Sequence, residues 1–292
     1  MNQFIQSVLI PGLAHGAILA LVAIGFTVLY ATTDVINFGH GQLVMVLPTA
    51  VLVAVRAGVP VPIAYLVGIV VLIAVALVIE RLAVRPFMHA HQDLTWIIST
   101  LGASVVLTEL LAYPFDAESQ NFPYGLSRRG FPFLGYRVSW AEIAAVAAAI
   151  IVAVLLVLFS RKTDIGLRLR ALGEDLKGAQ AVGVSRARSS RIAMALSALI
   201  AGVTGVLVAS TQLVTPTAGT TYTFSGFVAL AMGGMGSVGG SLLGGFVVGL
   251  VTQAAAVYLG ALATNATVFA LLIVVYLARP HGFFGKKPVR EV

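Results

Sequence analysis

Three polar side chains stand close together where an apolar run of the chain begins. They are Asn37, His40 and Gln42 of the stretch NFGHGQ. One interpretation is an ordinary helix start whose polar side chains cap the helix. The other is a discontinuous helix, whose N-terminal dipole points at an anionic group inside an apolar medium. Pro48, in the same run, favours the second interpretation because proline interrupts helical hydrogen bonding. We therefore predict that these three side chains line a polar pathway.

Glycines make up the second candidate. The stretch MGGMGSVGG holds the spacing G-x-G-x-x-G at Gly234, Gly236 and Gly239, which wraps the pyrophosphate of a dinucleotide in nucleotide-binding proteins. We reject a nucleotide site because the motif lies between apolar segments and the next acidic residue is Glu291. Close helix packing explains the glycines better, since they recur at every fourth position. These positions are Gly236, Gly240 and Gly244, and then Gly245 and Gly249.

The same glycine stretch predicts an interruption between two helices. Gly233, Gly234, Gly236 and Ser237 separate two apolar segments, and peptide groups left free inside a membrane need water, substrate or protein partners. We predict that these four residues face the same pathway as the stretch NFGHGQ.

Ionisable groups give little support to catalysis or to metal binding. His15 and Glu109 lie within apolar segments, where each either contacts a substrate or only packs or reaches the headgroup region. His89, His91 and Asp93 have the proximity of metal ligands, but they fall on a polar turn, so we expect a solvated loop, no metal and no other cofactor. No set of serine, histidine and acid on rigid elements emerges, and we expect no catalytic residue.

The composition assigns the chain to the lipid bilayer. Of 292 residues, 59% are apolar and 10% are charged, and there is no cysteine. A soluble domain has about a quarter charged residues, so a soluble enzyme is excluded. We predict one all-α domain over residues 1–292, a polytopic helical membrane protein with eight to nine transmembrane segments, some of them broken or re-entrant. The nine apolar segments lie near residues 8–31, 40–56, 61–80, 94–112, 139–160, 192–212, 224–235, 238–260 and 266–279.

The basic residues predict the orientation of these segments. Fourteen of the 18 lysines and arginines fall at Arg81 and Arg85, in the loop 161–191 and in the tail from Arg279 onward. Such clusters mark the cytoplasmic side, so the N-terminus is expected outside and the C-terminus inside. The loop 161–191 and the tail lie on the same side only if segment 224–235 crosses the membrane, although twelve residues of helix span only about 18 Å. A broken or re-entrant backbone must then complete that crossing.

The two largest loops differ in character. Loop 113–138 is expected on the extracytoplasmic side, as turns with a short hairpin around 131–138. Loop 161–191 is expected on the cytoplasmic side, with helices at 167–172 and 174–182.

Three blocks of sequence resemble the first permease subunit of branched-chain amino acid ABC importers. They are AIGFTVLY continuing to VINFGHG, the loop GLRLRA with ED and GAQAVGV, and GGMGS followed by two glycines. The blocks are spread over nearly the whole chain. The resemblance implies a bacterial inner-membrane setting and several partners: a second homologous permease, two cytoplasmic ATPase subunits and an extracytoplasmic solute-binding protein. It implies uptake of a small-molecule substrate, no nucleic acid, and ATP hydrolysis only by the separate ATPase subunits.

The loop 161–191 is then expected to couple the permease to an ATPase. Charged residues stand beside small ones in this loop, a pattern that favours close packing of another protein. These residues are Glu174, Asp175, Lys177, Gly178, Ala179 and Gly183. The alternative is that the nearby arginines bind anionic lipid headgroups, each worth about 1 kcal/mol near the surface. Those arginines are Arg168, Arg170, Arg186 and Arg188.

The residues leave several substrates open. The pair Leu47 and Pro48 stands where a Gly-Ala pair is common in the family, and related permeases carry urea, short amides or other small polar solutes. A proton-coupled secondary transporter is the alternative from another class, and it needs intramembrane carboxylates, of which only Glu109 qualifies loosely. A channel, which would need a symmetric filter, and a membrane enzyme rank below it.

Overall fold

The computed structural model describes residues 4–88, 95–126, 129–133, 136–279 and 282–285. Within these ranges the chain is almost entirely helical, as predicted. The predicted turn residues His89, His91 and Asp93 lie outside the described residues. The helices are α1 (Ile10–Thr33), α2 (His40–Arg56), α3 (Val61–Ile79), α4 (Thr95–Ala112), α5 (Trp140–Lys162), α6 (Asp164–Glu174), α7 (Leu176–Ala181), α8 (Arg186–Thr211), α9 (Ala218–Gly233), α10 (Val238–Tyr258) and α11 (Ala263–Ala278).

Each of the nine predicted apolar segments coincides with a helix. In the described part of the chain, six helices are long and apolar enough to cross a membrane, and α2 and α11 are shorter apolar helices. The largest difference is α9, which begins at Ala218 rather than 224 and ends at Gly233. Its first turns carry threonines, which hid them from a hydropathy search. With 16 residues, α9 is about 24 Å long, closer to a full crossing than expected.

Contacts between helix ends define two ends of the bundle. Arg186, the first residue of α8, donates to the carbonyl of Thr33 at the end of α1 (2.9 Å). Ser190 donates to Glu80 at the end of α3 (2.7 Å). We call this the basic end, because Arg81, Arg85 and helices α6 and α7 adjoin it. At the far end, Arg56 donates to Gln120 (2.6 Å). The basic clusters around residues 81–85 and in 161–191 therefore share one end.

Glycines bring α1 and α10 into backbone contact, as their spacing predicted. A Cβ on Gly249 would collide with the backbone of Gly16, and one on Gly245 would collide with Ala20. Gly240 and Gly244 instead pack against carbonyl groups of α9. Gly236 makes no such contact; it lies in the turn before α10 with φ of 84°. Close approach of this kind replaces the hydrophobic driving force that helices lack inside a membrane.

The predicted hairpin lies at the far end. Strands β1 (Gly130–Phe133) and β2 (Tyr136–Ser139) pair antiparallel. Ser139 then begins α5 in a capping box with Glu142. The Tyr136 hydroxyl donates to Glu142 (2.8 Å). Burial, together with this hydrogen bond, raises the pKa of Tyr136 to about 12. The phenol therefore stays protonated and fastens the hairpin to α5 at neutral pH.

Gly249→Ala tests the backbone contact between α1 and α10. The added methyl group meets the Gly16 backbone, so we expect a loss of about 1–3 kcal/mol in the free energy of unfolding. Thermal unfolding of the purified protein in detergent measures it. Gly102→Ala is the matched control, because Gly102 lies in α4 with open space around it, and alanine there is neutral or stabilising. Equal midpoints for the two variants would contradict the contact.

Candidate functional site

The chain between α1 and α2 re-enters the bundle. Asp34 ends α1 in the left-handed conformation with φ of 58°, and α2 begins only at His40. The His40 ring lies against Gly25 of α1, eight residues before the end of α1 and so about 12 Å inside the basic end. Helix α2 is therefore a discontinuous helix that starts within the bundle.

Side chains from neighbouring helices satisfy the backbone of this re-entrant segment, which we define as Asp34–Gly39. Asn37 accepts from the Gly39 amide (3.0 Å). Thr223 of α9 lies within hydrogen-bond distance of the Phe38 carbonyl (3.2 Å), and Thr100 of α4 lies near the Ile36 carbonyl (3.4 Å). Irregular backbone is tolerated at membrane depth where protein partners surround it in this way.

His40 fastens the start of α2 to α1 and α8. Its Nδ1 lies 3.1 Å from the Ser197 hydroxyl, and that hydroxyl donates to the Gly25 carbonyl (2.9 Å). Because the hydroxyl has one proton, Nδ1 is the donor, which leaves Nε2 as a buried lone pair without a hydrogen-bond partner. A Cβ on Gly25 would collide with this ring. Phe26 packs on it at 4.9 Å between ring centroids.

Gln42 fastens the start of α2 to α4 and α9. The amide orientation that satisfies all of its neighbours has the oxygen 2.8 Å from the Thr108 hydroxyl and 3.0 Å from the Thr220 hydroxyl. The amide nitrogen then donates to the Pro216 carbonyl (3.1 Å). A side chain on Gly41 would collide with the carbonyl of Gly219 on α9. Two helix starts thus cross at van der Waals distance.

The turn between α9 and α10 is the predicted helix break. Gly234 and Gly236 have φ of 98° and 84°, and Ser237 caps α10 by accepting from the Gly240 amide (3.1 Å). The amide of Phe284 from the C-terminal tail donates to the Gly233 carbonyl (3.0 Å). Hydrogen bonds from other parts of the chain therefore satisfy the peptide groups of this turn as well.

The structure brings Asn37, His40 and Gln42 together but separates them from the glycine turn. All three are at most 1% exposed and are surrounded by this chain. Gln42 meets Thr220 near the start of α9, whereas Gly233 ends that helix, so the two groups lie about 20 Å apart. His15 is partly buried in α1, and Glu109 is exposed near the far end of α4.

Three buried polar contacts went unrecognised in the sequence. Glu80 is 1% exposed and accepts from Ser190 (2.7 Å). The hydroxyls of Thr27 and Ser241 lie 2.6 Å apart between α1 and α10. Arg186, taken as a loop cation, is 5% exposed. The one available signal was Glu80, an acidic residue at the end of an apolar segment.

The coupling residues in 161–191 have mostly local structural roles. Asp175 caps α7 by accepting from the Gly178 amide (3.0 Å), and a side chain on Gly178 would collide with that carboxylate. Ala179 is buried, and Gly183 follows α7 with φ of 86°. Glu174 pairs with Arg170 (2.9 Å). Capping and turn geometry therefore explain the small residues without a docked partner.

A smaller surface remains for a partner at the basic end. Lys177 is exposed, and Val182 is 81% exposed. Val182 borders a surface pocket of about 390 Å³ between α6 and α8, which Arg168 and Arg188 also line. Two of the four arginines considered for headgroup binding are engaged within the chain. Arg186 is buried against Thr33, and Arg170 is paired with Glu174.

Comparisons with known proteins agree with this architecture. The model of a family described as "Branched-chain amino acid transport system / permease component" matches residues 8–277. The chain is 29% identical to the permease protein BraD of the high-affinity branched-chain amino acid transport system of Pseudomonas aeruginosa, over 97% of both chains. It is 29% identical to the corresponding protein LivH of Escherichia coli, over 96% of both. Among solved structures, PsaBC from Streptococcus pneumoniae in complex with a Fab has a similar fold, with a TM-score of 0.53, 12% identity and coverage of 97% and 96%.

The contact between Gly25 and His40 predicts that substitutions there are coupled. Gly25→Ala places a methyl group against the His40 ring, and His40→Ala leaves a cavity, so each should lower the thermal unfolding midpoint. In the double variant the methyl group enters the cavity, and we expect a coupling energy of about 0.5–3 kcal/mol. The pair Gly102→Ala and His40→Ala should be additive. Additivity in the first pair too would disprove the contact.

Proposed function

The chain belongs to the family of permease components of branched-chain amino acid transport systems, and we propose that it forms half of the translocation pathway of an ATP-driven importer. It is a multi-pass membrane protein of the ABC transporter permease class. In our proposal a second, homologous permease forms the other half. Two cytoplasmic ATPase subunits hydrolyse ATP, and an extracytoplasmic solute-binding protein delivers the substrate. This chain itself has no catalytic role.

The observation that carries this proposal is the re-entrant segment. Irregular backbone inside an apolar bundle is costly, and transporters retain it where a solute must pass. The segment and α2 contact α1, α4, α8 and α9, so a shift of one helix alters the packing of the others. Asn37, His40 and Gln42 then hold the backbone of the pathway wall in place without facing its lumen. The turn from Gly233 to Ser237 closes the pathway at the basic end.

Family membership favours branched-chain amino acids as the substrate over the alternatives of urea, short amides or another small polar solute. It likewise favours ATP coupling over a proton-coupled mechanism. Transport by alternating access requires that the ATPase pair binds the two permease conformations with different affinity. The permease contributes the two conformations and the shape of the pathway.

We assign the basic end to the cytoplasm. Charge bias in loops near membrane segments sets topology, and the far end carries few cations by comparison. The N-terminus is then extracytoplasmic, and the C-terminus lies in the cytoplasm of a bacterial cell.

Single cysteines test this orientation, because the chain contains none. Gln180→Cys at the basic end and Glu118→Cys at the far end both replace exposed side chains. In intact spheroplasts, a membrane-impermeant maleimide should modify Glu118→Cys and leave Gln180→Cys unmodified until the membrane is opened. The reverse pattern would overturn the orientation.

We propose that the surface around Lys177 and Val182 docks on an ATPase subunit. Two contacts connect it with the re-entrant segment. Gly173 of α6 packs on the carbonyl of Ala31 in α1, and Arg186 donates to the carbonyl of Thr33. Both lie within three residues of Asp34, where the re-entrant segment begins.

Val182→Trp tests the docking. Val182 is exposed and tolerates bulk within the chain, whereas a substitution at Gly183 would also strain a backbone with positive φ. We expect that the ATPase subunit no longer copurifies with Val182→Trp and that this variant takes up no amino acid. Its insertion into the membrane should be unchanged. Glu118→Trp, which adds the same ring at the far end, should keep both. An intact complex with Val182→Trp would leave headgroup binding by Arg168 and Arg188 as the better explanation.

A further inference from the structure

The exposed surface of the bundle has two chemically different parts. The exposed large side chains on α3 and α5 are aliphatic over most of their length, with Leu66, Val70, Ile151 and Leu155 as examples. Lipid tails suit such a surface. The exposed surface of α9 and α11 instead combines apolar side chains, such as Ile273 and Leu277, with polar ones. We call the part that carries Thr220, Thr221 and Asn265 the polar face.

A groove runs between α9 and α11 on this polar face. Its volume is about 200 Å³. One wall holds the phenyl rings of Phe224 and Phe269, whose centroids are 6.0 Å apart. Hydroxyl and amide groups of Thr220, Thr221 and Asn265 also line it.

Lipid is a poor occupant for this groove. A hydroxyl or amide that faces hydrocarbon without a hydrogen-bond partner costs about 1–3 kcal/mol by mutational data. One of the lining hydroxyls, that of Thr220, is also held in place by Gln42, which is fully buried and anchored to α2. The groove is thus built on the same helix start as the re-entrant segment.

We propose that this groove is where an amino acid with an aliphatic side chain binds during its passage, an assignment that rests on the proposed function. The rings of Phe224 and Phe269 contact the aliphatic side chain. The hydroxyl of Thr221 donates to the α-carboxylate. The Thr220 oxygen, whose proton is donated to Gln42, and the amide oxygen of Asn265 accept from the α-ammonium group. Gln42 is a positioning residue that acts through Thr220.

The absence of an ionised side chain among the groove residues suits transit. Passage requires binding strong enough for entry and weak enough for release. Neutral side chains form hydrogen bonds with the charged groups of the amino acid without forming an ion pair, so release leaves no uncompensated charge in the groove. The two rings then distinguish an aliphatic amino acid from a solute of similar size without an apolar side chain, such as urea.

Cysteine labelling in the assembled transporter tests the assignment. Thr221→Cys and Asn265→Cys place a thiol in the groove, and Leu155→Cys places one on the aliphatic surface of α5. A maleimide applied to opened membranes should modify the groove thiols roughly tenfold faster or more, because the thiolate forms only in contact with water. Leucine at twice its dissociation constant should slow the groove reaction about threefold, and urea should not.

Three results would overturn the assignment. The groove faces lipid if both groove thiols react as slowly as Leu155→Cys. It carries water but no substrate if leucine leaves the rates unchanged in groove variants that still take up leucine. The protection is a distant conformational effect if leucine slows Glu118→Cys, at the far end, to the same extent. Two groove positions keep the test informative if one variant fails to assemble.

Leucine uptake by the transporter with the unsubstituted chain separates this inference from the proposed function. If that transporter takes up leucine while the groove thiols show no protection, only the groove assignment fails. If it takes up no leucine, the proposed substrate class itself fails.

Discussion

The structure depends on satisfying peptide groups where the helix is interrupted inside an apolar bundle. The re-entrant segment lacks the internal hydrogen bonds of a helix, and the surrounding medium offers none. Asn37 from the segment accepts from the Gly39 amide. The hydroxyls of Thr100 in α4 and Thr223 in α9, which also bond within their own helices, lie close to two of its carbonyl groups. The positions of two helices are therefore linked to one stretch of six residues. Such a stretch is unlike a loop, because moving it requires its partners to move as well.

Close contact at glycines makes this arrangement possible. Gly25 leaves room for the His40 ring, and Gly41 and Gly219 let α2 and α9 cross. The same device joins α1 to α10 through Gly16 and Gly249. Helices in a membrane gain little from burying apolar surface against one another, so packing and interhelical hydrogen bonds must hold the bundle together. Glycine serves here through the absence of a side chain rather than through backbone freedom.

At the basic end, short contacts connect α6 and α8 with the re-entrant segment. Gly173 of α6 meets Ala31, and Arg186 of α8 meets Thr33, both directly before α1 ends. Displacement of α6 or of the start of α8 thus acts on the residues that hold Asp34. In the proposed mechanism, a contiguous set of packed groups therefore links the docking surface to the re-entrant segment without a long-range rearrangement.

Hydropathy and charge in the sequence determined the all-α membrane class, the nine segments and the shared end of the basic clusters, because these properties follow from local composition. Glycine spacing predicted close packing against α10, and the structure showed that α1 is one of the helices that pack there. Only the tertiary structure decided what the polar residues contact. His40 and Gln42 carry polar groups that a sequence cannot pair with Ser197 or Thr220, more than 150 residues away. The threonine-rich start of α9 was missed because its polar side chains lower the local hydropathy, and the contact of Thr220 with Gln42 exists only in the fold. Likewise, only the fold shows that Asp175 caps a helix and that Gly183 turns the chain, since capping depends on where a helix actually begins and ends.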